Sequence, residues 1–263
     1  MQLDIAGNAA LVTASSSGLG KASATALAKQ GVDVVINGRD EERLADAVEE
    51  IAAVAEGRVV GQQGDLTSET DIDQLVERTI DEYGQLDHLV TSAGGPPSGP
   101  FDSMDDSDWY EAVDLLLLSV VRLARKSSDY LAAGDGGTIV TITSRSVKEA
   151  IDSLVLSNSV RMGVIGLEKT LSKELGPEVR ANAVLPGPHE TRRIQDLIEQ
   201  SIDRGEYESY KEGLEARSEE IPVGSIGDPE QFGETVAFLS SPHAAHINGV
   251  ALPVDGGAGA SNL

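Results

Sequence analysis

Short, nearly continuous apolar runs alternate along this chain with longer stretches in which apolar positions recur every three or four residues. The first pattern predicts strands buried on both faces, the second amphipathic helices, and their alternation predicts a parallel sheet covered on both sides. Strands are expected at Ala9–Thr13, Val32–Ile36, Arg58–Gln62, Leu86–Thr91, Thr138–Thr143 and Arg180–Leu185, with a last one within Val250–Val254. Helices are expected from Gly18 to Gln30 and from Asp40 to about Ala55. A third is fixed by Ile72, Leu75, Val76, Ile80 and Tyr83, which share one face at a period of 3.6 residues.

Between the fourth and fifth strands a long helix carries Trp109, Val113, Leu116, Leu117, Val120 and Leu123. Its run Leu115–Leu118 is apolar all round, which predicts burial on more than one side. Residues 190–220 break the rhythm with a polar, helical insertion after strand six, at the edge of the sheet where a substrate lid would sit. The chain contains no internal repeat and no Pro/Gly/Ser linker that would divide it. The expectation is one α/β domain over residues 1–263, a Rossmann-type doubly wound sheet of about seven strands, with the insertion as a lid inside it.

Composition narrows the function classes. The 263 residues carry 44 acids against 20 bases, a net charge of −24, with thirteen arginines, seven lysines and no cysteine. Such a surface repels a phosphate backbone, so nucleic acid is not an expected partner. Without cysteine there is neither disulfide nor thiolate chemistry. No run of 18 apolar residues and no basic-then-apolar leader occurs, so the expectation is a cytoplasmic protein without a membrane span. The acids lie scattered on helix faces, among them Glu41, Glu42, Asp46, Glu49, Asp71, Asp73 and Glu77. That distribution fits a salt-rich cytosol, where screening offsets self-repulsion.

Candidate chemistry begins at the end of strand one, in Thr13-Ala14-Ser15-Ser16-Ser17-Gly18-Leu19-Gly20. Glycines at a strand-to-helix turn let the backbone approach a pyrophosphate, and the helix N-terminus adds N–H donors and a positive dipole. After strand two stands Asn37-Gly38-Arg39. An acid there would bind the adenosine ribose hydroxyls, whereas the Arg39 guanidinium can meet a 2′-phosphate with two bonds. NADP(H) is therefore expected in preference to NAD. The alternative is a solvated turn arginine paired with Glu41 or Glu42.

The glycine turn resembles the Thr-Gly-x-x-x-Gly-x-Gly pattern of the short-chain dehydrogenase/reductase family, with Ala14 where that family has its first glycine. Four further segments match in the same order. Asp65-Leu66 resembles the pair that holds the adenine ring, and Thr91-Ser92-Ala93-Gly94 stands where the family has Asn-Asn-Ala-Gly. Pro186-Gly187 with Thr191 resembles the segment that contacts the nicotinamide amide, and Val254-Asp255-Gly256-Gly257 the C-terminal signature. The resemblance, nearest to 3-oxoacyl-acyl-carrier-protein reductases, spans nearly the whole chain. It implies a small-molecule substrate, a homotetramer or homodimer, and cofactor contacts from Thr13, Ser15, Ser16, Ser17, Gly18, Leu19, Gly20, Arg39, Asp65, Leu66, Ser92, Ala93, Gly94, Arg161, Pro186, Gly187 and Thr191.

The same resemblance implies a catalytic Ser, Tyr, Lys and Asn, and here the chain departs from it. Ser144 supplies the Ser. Thirteen residues on stands Ser157 where the Tyr belongs, and four further on Arg161 stands where the Lys belongs. Aligned from Trp109, the Asn position is Leu116. A Tyr ionises near pH 10 and a Ser hydroxyl nearer that of water, about 15.7, so the missing acid amounts to roughly 8 kcal/mol before any tuning. Arg161 can bond ribose oxygens but releases no proton. Candidate replacement acids are His189, three residues past Pro186, which otherwise reads as a hydrogen-bonding histidine of the lid, Lys148 in the polar run Ser144–Glu149, which otherwise reads as a solvated loop lysine, and Tyr207 and Tyr210 of the insertion. No metal site is read.

Three functions stay open: an NADP(H)-dependent oxidoreductase with a non-standard active site, a non-catalytic NADP-binding sensor or regulator, and a non-redox enzyme on the same fold. Hydride exchange from labelled NADPH separates the first from the others. The acidic surface carries its own prediction. Melting temperature should keep rising with KCl beyond about 0.15 M, where the screening length is already about 8 Å; a melting point flat into molar salt would refute salt adaptation.

Overall fold

The computed structural model describes residues 2–134, 136–203 and 205–262. Among them seven strands form one parallel sheet: β1 (Ala9–Val12), β2 (Asp33–Gly38), β3 (Val59–Gln63), β4 (His88–Thr91), β5 (Gly137–Ile142), β6 (Val179–Pro186) and β7 (Ala251–Val254). Their order is β3-β2-β1-β4-β5-β6-β7. The expected strands are all present, with bounds moved by a residue or two. The chain leaves β3, crosses the sheet and returns beside β1 as β4, with Ala10 paired to His88 and Val12 to Val90. At that reversal the connections on the two sides of β1 diverge, which opens a crevice beyond the carboxyl ends of the strands.

Helices α1 (Gly18–Lys29), α2 (Glu41–Ala52) and α3 (Glu69–Tyr83) follow the first three strands. The long helix after β4 has two α segments, α4 (Asp106–Val113) and α5 (Ser119–Leu131), joined by a π turn at Asp114–Leu118. After β5 comes α6 (Val155–Glu174). The polar insertion folds as α7 (Arg192–Asp203) and α8 (Tyr210–Ser218), and α9 (Pro229–Ser240) adds to the expected set. None of these helices is long and apolar enough to cross a membrane among the described residues.

The pleat sorts the core. Ala10, Val12, Val34, Ile36, Val90 and Val140 face α1, α2 and α9, while Leu11, Val35, Leu89 and Ile139 face α3 and α5. Both faces are therefore dry, as the continuous apolar runs require. The expectation for Leu115–Leu118 holds only in part. Leu116 is buried against Leu156 and Val160, and Leu117 packs on Gly163, but Leu118 is 37% exposed, near the likewise exposed Tyr110 and Met162 in sequence or on the neighbouring α6. The π turn rotates the helix surface by an extra residue, so a run apolar on every side cannot put all four leucines inward.

One buried acid interrupts this core. Glu168 of α6 lies beneath the sheet, where Thr91 Oγ1 donates to Thr141 Oγ1 at 2.8 Å and Thr141 in turn donates to the Glu168 carboxyl. Its second oxygen has no hydrogen-bond partner. Loss of water raises its pKa from 4.5 to about 8, so the carboxyl is neutral at pH 7. Between those two values the folded state keeps a proton that the unfolded chain has lost. Stability therefore falls as pH rises through the window, by roughly 5 kcal/mol at most. Glu168→Gln keeps the Thr141 bond and removes the titration. It should match the parent near pH 4.5 and melt higher at pH 9; equal melting points at pH 9 would place the carboxyl in water.

Candidate cofactor groove and catalytic cleft

The crevice is a groove of about 560 Å3 whose floor is the turn between β1 and α1. Ser16, Ser17, Gly18, Leu19 and Gly20 line it, as do Arg39, Asp65, Leu66, Ser92, Ala93, Gly94, Pro186 and Thr191. A Cβ on Gly20 would lie 2.5 Å from the Ala14 carbonyl oxygen, so only glycine lets the turn close. Ala14 itself is held at φ +45°, a left-handed conformation that costs an alanine free energy. Helix α1 starts with no acid in its first turn and no side chain bonded to its N–H groups, whereas α2, α3, α4, α8 and α9 are each capped by a carboxylate or hydroxyl. A helix end left open in this way is a site for an anion. The glycine cradle and the free helix terminus fit a dinucleotide pyrophosphate.

Two residues expected to touch the cofactor serve the scaffold instead. The Thr13 hydroxyl donates to the Ser92 carbonyl at 2.8 Å and accepts from the Ser92 N–H at 2.9 Å, tying β1 to β4. The Ser15 hydroxyl donates to the Val12 carbonyl at 2.6 Å and accepts from the Asn37 N–H. Both are fully buried and line neither groove nor cleft.

Past β2 the Arg39 side chain is 77% exposed at the groove, its guanidinium 3.9 Å from the Asp65 carboxylate. Arg43 lines the same wall, a cation missed in the sequence although it stands one helical turn after Arg39. Asp40 is also there, but its carboxylate accepts the Arg43 N–H at 2.8 Å as the cap of α2. The Ser16 hydroxyl sits against Gly38, where a Cβ would come within 2.8 Å of it. Hydrogen bonds from the N–H and hydroxyl of Thr67 hold Asp65 below the usual carboxylate range, helped by Arg39.

Beside the groove opens a smaller cleft of about 270 Å3, walled by Leu19, Pro96, Leu154, Pro186, Pro188 and Ile194. Ser144, Ser157, Arg161, Gly187 and His189 converge on it. Ser144 caps a short 3-10 turn by accepting the Ser146 N–H at 3.1 Å. Ser157 is buried with its hydroxyl 3.1 Å from that of Ser146, and Arg161 is 8% exposed. Leu116, expected at the Asn position, lies inside the π turn.

His189 is held as a wall residue. Its Nδ1 is 3.0 Å from the Gly187 carbonyl, its ring stands edge-on to Phe232 at 5.1 Å, and its Cδ2–Nε2 edge presses on Gly227, where a Cβ would clash at 2.6 Å. Burial lowers its pKa below 6.5, so it is neutral at pH 7. Lys148 lines neither groove nor cleft. Arg145 instead clamps the C-terminal segment, bonding the Ala258 carbonyl at 2.9 Å and Glu149 at 3.3 Å. In the insertion Tyr210 donates to Glu190 at 2.7 Å. A larger groove of about 870 Å3 runs outside α1 and α9, sharing only Gly18, Thr191 and Arg192 with the cofactor groove and none of the cleft's serines or Arg161.

Fold and groove together define a Rossmann-type dinucleotide-binding oxidoreductase. The sequence pattern of the family described as enoyl-(acyl carrier protein) reductase matches residues 13–259. The chain belongs to the short-chain dehydrogenase/reductase family. A 3-oxoacyl-[acyl-carrier-protein] reductase of Synechocystis is 32% identical over 250 residues, 94% of this chain and 95% of that protein. The crystal structure of L-sorbose reductase from Gluconobacter frateurii, complexed with NADPH and L-sorbose, superposes with a TM-score of 0.94 at 28% identity, covering 99% of this chain and 100% of that one. An actinorhodin polyketide ketoreductase with NADPH gives a TM-score of 0.87 at 31% identity, covering 96% and 97%.

The alanine in the glycine turn makes a stability prediction. Ala14→Gly removes a left-handed alanine without disturbing the backbone bond to Asn37, so it should gain about 1 kcal/mol. For a chain of this size that is a rise of roughly 2–4 °C in Tm. A lower Tm would show that the turn is not strained.

Proposed function

We propose that this protein is an NADP(H)-dependent oxidoreductase of small molecules, related to the 3-oxoacyl-acyl-carrier-protein reductases but working without the family's Tyr, Lys and Asn. The observation that carries the reading is the wall after β2, where Arg39 and Arg43 face the groove, Asp40 is committed to capping α2, and the other acid of the groove, Asp65, lies 3.9 Å from the Arg39 guanidinium. Two guanidinium groups and the Ser16 hydroxyl suit a dianionic 2′-phosphate. Arg192 at the start of α7 and the N-terminus of α1 bracket the pyrophosphate stretch of the same groove. When bound, the dihydronicotinamide supplies a hydride. The chain's own residues orient the substrate: Ser144 and Arg161 present donors in the cleft, and the apolar walls exclude water. The NADPH complexes of the two structural relatives support this cofactor.

A second reading, an NADP(H)-binding protein without turnover, is favoured by one observation: among the described residues lining the cleft, His189 is the only side chain of an ordinarily near-neutral acid–base type, and burial lowers its pKa while its ring is held in place. Labelled hydride exchange distinguishes the two. Calorimetric titration tests the cofactor. NADPH should bind at least tenfold more tightly than NADH, and Arg39→Asp should erase or reverse the preference. Equal affinities in the parent protein would remove the NADP assignment.

A further inference from the structure

The cleft joins the cofactor groove along Leu19, Gly95, Thr143, Pro186 and Thr191. The resemblance expects Arg161 on the cofactor, yet this side chain lines the cleft and not the groove. It is 8% exposed, so its guanidinium meets a ligand with little water around it. A charge in such surroundings is screened little by salt and draws an anion more strongly than one at the surface. Among the described residues lining the cleft there is no Asp or Glu, whereas the groove holds Asp40 and Asp65. In a chain of net charge −24, the substrate side is thus lined by a cation alone.

The cleft's hydroxyls sort by direction. Thr143 donates to the Val184 carbonyl at 3.3 Å, and Ser157 is paired with Ser146 at 3.1 Å. Ser144 accepts the Ser146 N–H at 3.1 Å, which leaves its own proton to donate. His189 is neutral, held between the Gly187 carbonyl and Gly227, and adds no charge. Arg145 is turned away to Ala258 and Glu149. The entry of α6 reinforces Arg161: Leu154 and Ser157 line the cleft there, no side chain caps the helix, and its first turn holds no acid.

We infer that Arg161 and Ser144 form a carboxylate subsite, and that the substrate of this cleft is a small carboxylic acid. A planar guanidinium meets both oxygens of a carboxylate with parallel bonds, and its single charge balances a single charge. A phosphate would bring a further charge and a third oxygen, for which the described lining supplies no second cation. Pro96, Leu154, Pro188 and Ile194 offer apolar walls to a carbon skeleton. At about 270 Å3 the cleft falls below the roughly 300–1,000 Å3 of drug-sized sites, so it holds a molecule of few carbons rather than a long chain. With the carboxylate on Arg161, the rest of the molecule extends toward the junction with the groove, an orientation that rests on the oxidoreductase reading above.

Calorimetric titration of the full-length protein with 2-oxobutanoate tests the subsite, both with NADP+ and without it. The acid should bind at least tenfold more tightly than 2-oxobutanamide, its uncharged counterpart, and more tightly than methyl phosphate. Arg161→Gln should erase the preference for the acid. Arg161→Lys, which keeps the charge if its loss unfolds the cleft, should retain a weaker preference, and Ser144→Ala should lower it severalfold. No measurable binding of the acid, equal affinities for acid and amide, or tighter binding of methyl phosphate would overturn the assignment. So would a preference that survives in folded Arg161→Gln or vanishes in folded Arg161→Lys. NADPH titrated into the parent in the same buffer separates the two readings. NADPH binding with no preference for the acid removes only the carboxylate subsite, and a preference without NADPH binding removes only the cofactor assignment.

Discussion

Everything at the functional edge of this fold hangs on the side chain and backbone of Asn37, buried at the end of β2. Its N–H donates to the Ser15 hydroxyl at 2.9 Å and its carbonyl accepts the Ser15 N–H at 2.8 Å. Its Oδ1 accepts the Ala14 N–H at 3.1 Å, while Nδ2 donates to the carbonyls of Gly64 at 3.0 Å and Gln62 at 3.3 Å. One residue thus joins the loops that leave β1, β2 and β3, and every one of its polar groups is used. Leaving such buried groups unpaired would cost about 1–3 kcal/mol each. The glycine turn, the open end of α1 and the wall of the groove are all positioned from this knot. An acid in place of Asn37 would turn a donor that faces two carbonyls into another acceptor, which on the reading proposed above leaves cofactor selectivity to Arg39 and Arg43.

At the positions where the resemblance expects the catalytic Tyr, Asn and Lys, the side chains present are packed and partnered. Ser157 does not point a stub of a missing phenol into empty space; its hydroxyl meets that of Ser146, and both are buried. Leu116 is packed against Leu156 and Val160 rather than standing as an unfilled relay position. Arg161 retains the positive charge at the lysine position while giving up the ability to lose a proton. Around the permanent charge of Arg161 the cleft is walled by apolar side chains and hydroxyls.

Much of this was legible in the sequence because a parallel sheet buried on both faces writes itself as continuous apolar runs, and because the turn at Gly20 tolerates no side chain. What composition could not reveal was direction. Thr13 and Ser15 belong to the glycine turn by position, yet their hydroxyls face inward to tie strands together. His189 follows Pro186 as a candidate acid should, but Gly227, thirty-eight positions later, supplies the flat surface that captures its ring. Arg43 needed the third dimension to appear on the groove wall. Leu118 was misjudged because periodicity assumes a regular helix, and the π turn is invisible to it.

Charge distribution finally explains how so acidic a chain holds an anionic cofactor. Most of the acids lie on solvent-facing helices, while Arg39, Arg43 and Arg192 line the groove, together with Asp40 and Asp65, and Arg161 lines the cleft. At roughly 1 M salt the screening length falls to about 3 Å, so the acidic coat no longer repels an approaching dinucleotide from a distance. What remains at that ionic strength is contact. The N–H groups of α1 act through short hydrogen bonds that screening scarcely touches. A guanidinium as exposed as Arg39 keeps only the part of its attraction expressed as direct bonds to phosphate. On the proposed NADP(H) reading the labour is divided: the helix terminus holds any dinucleotide, and the arginine pair after β2 distinguishes one from another.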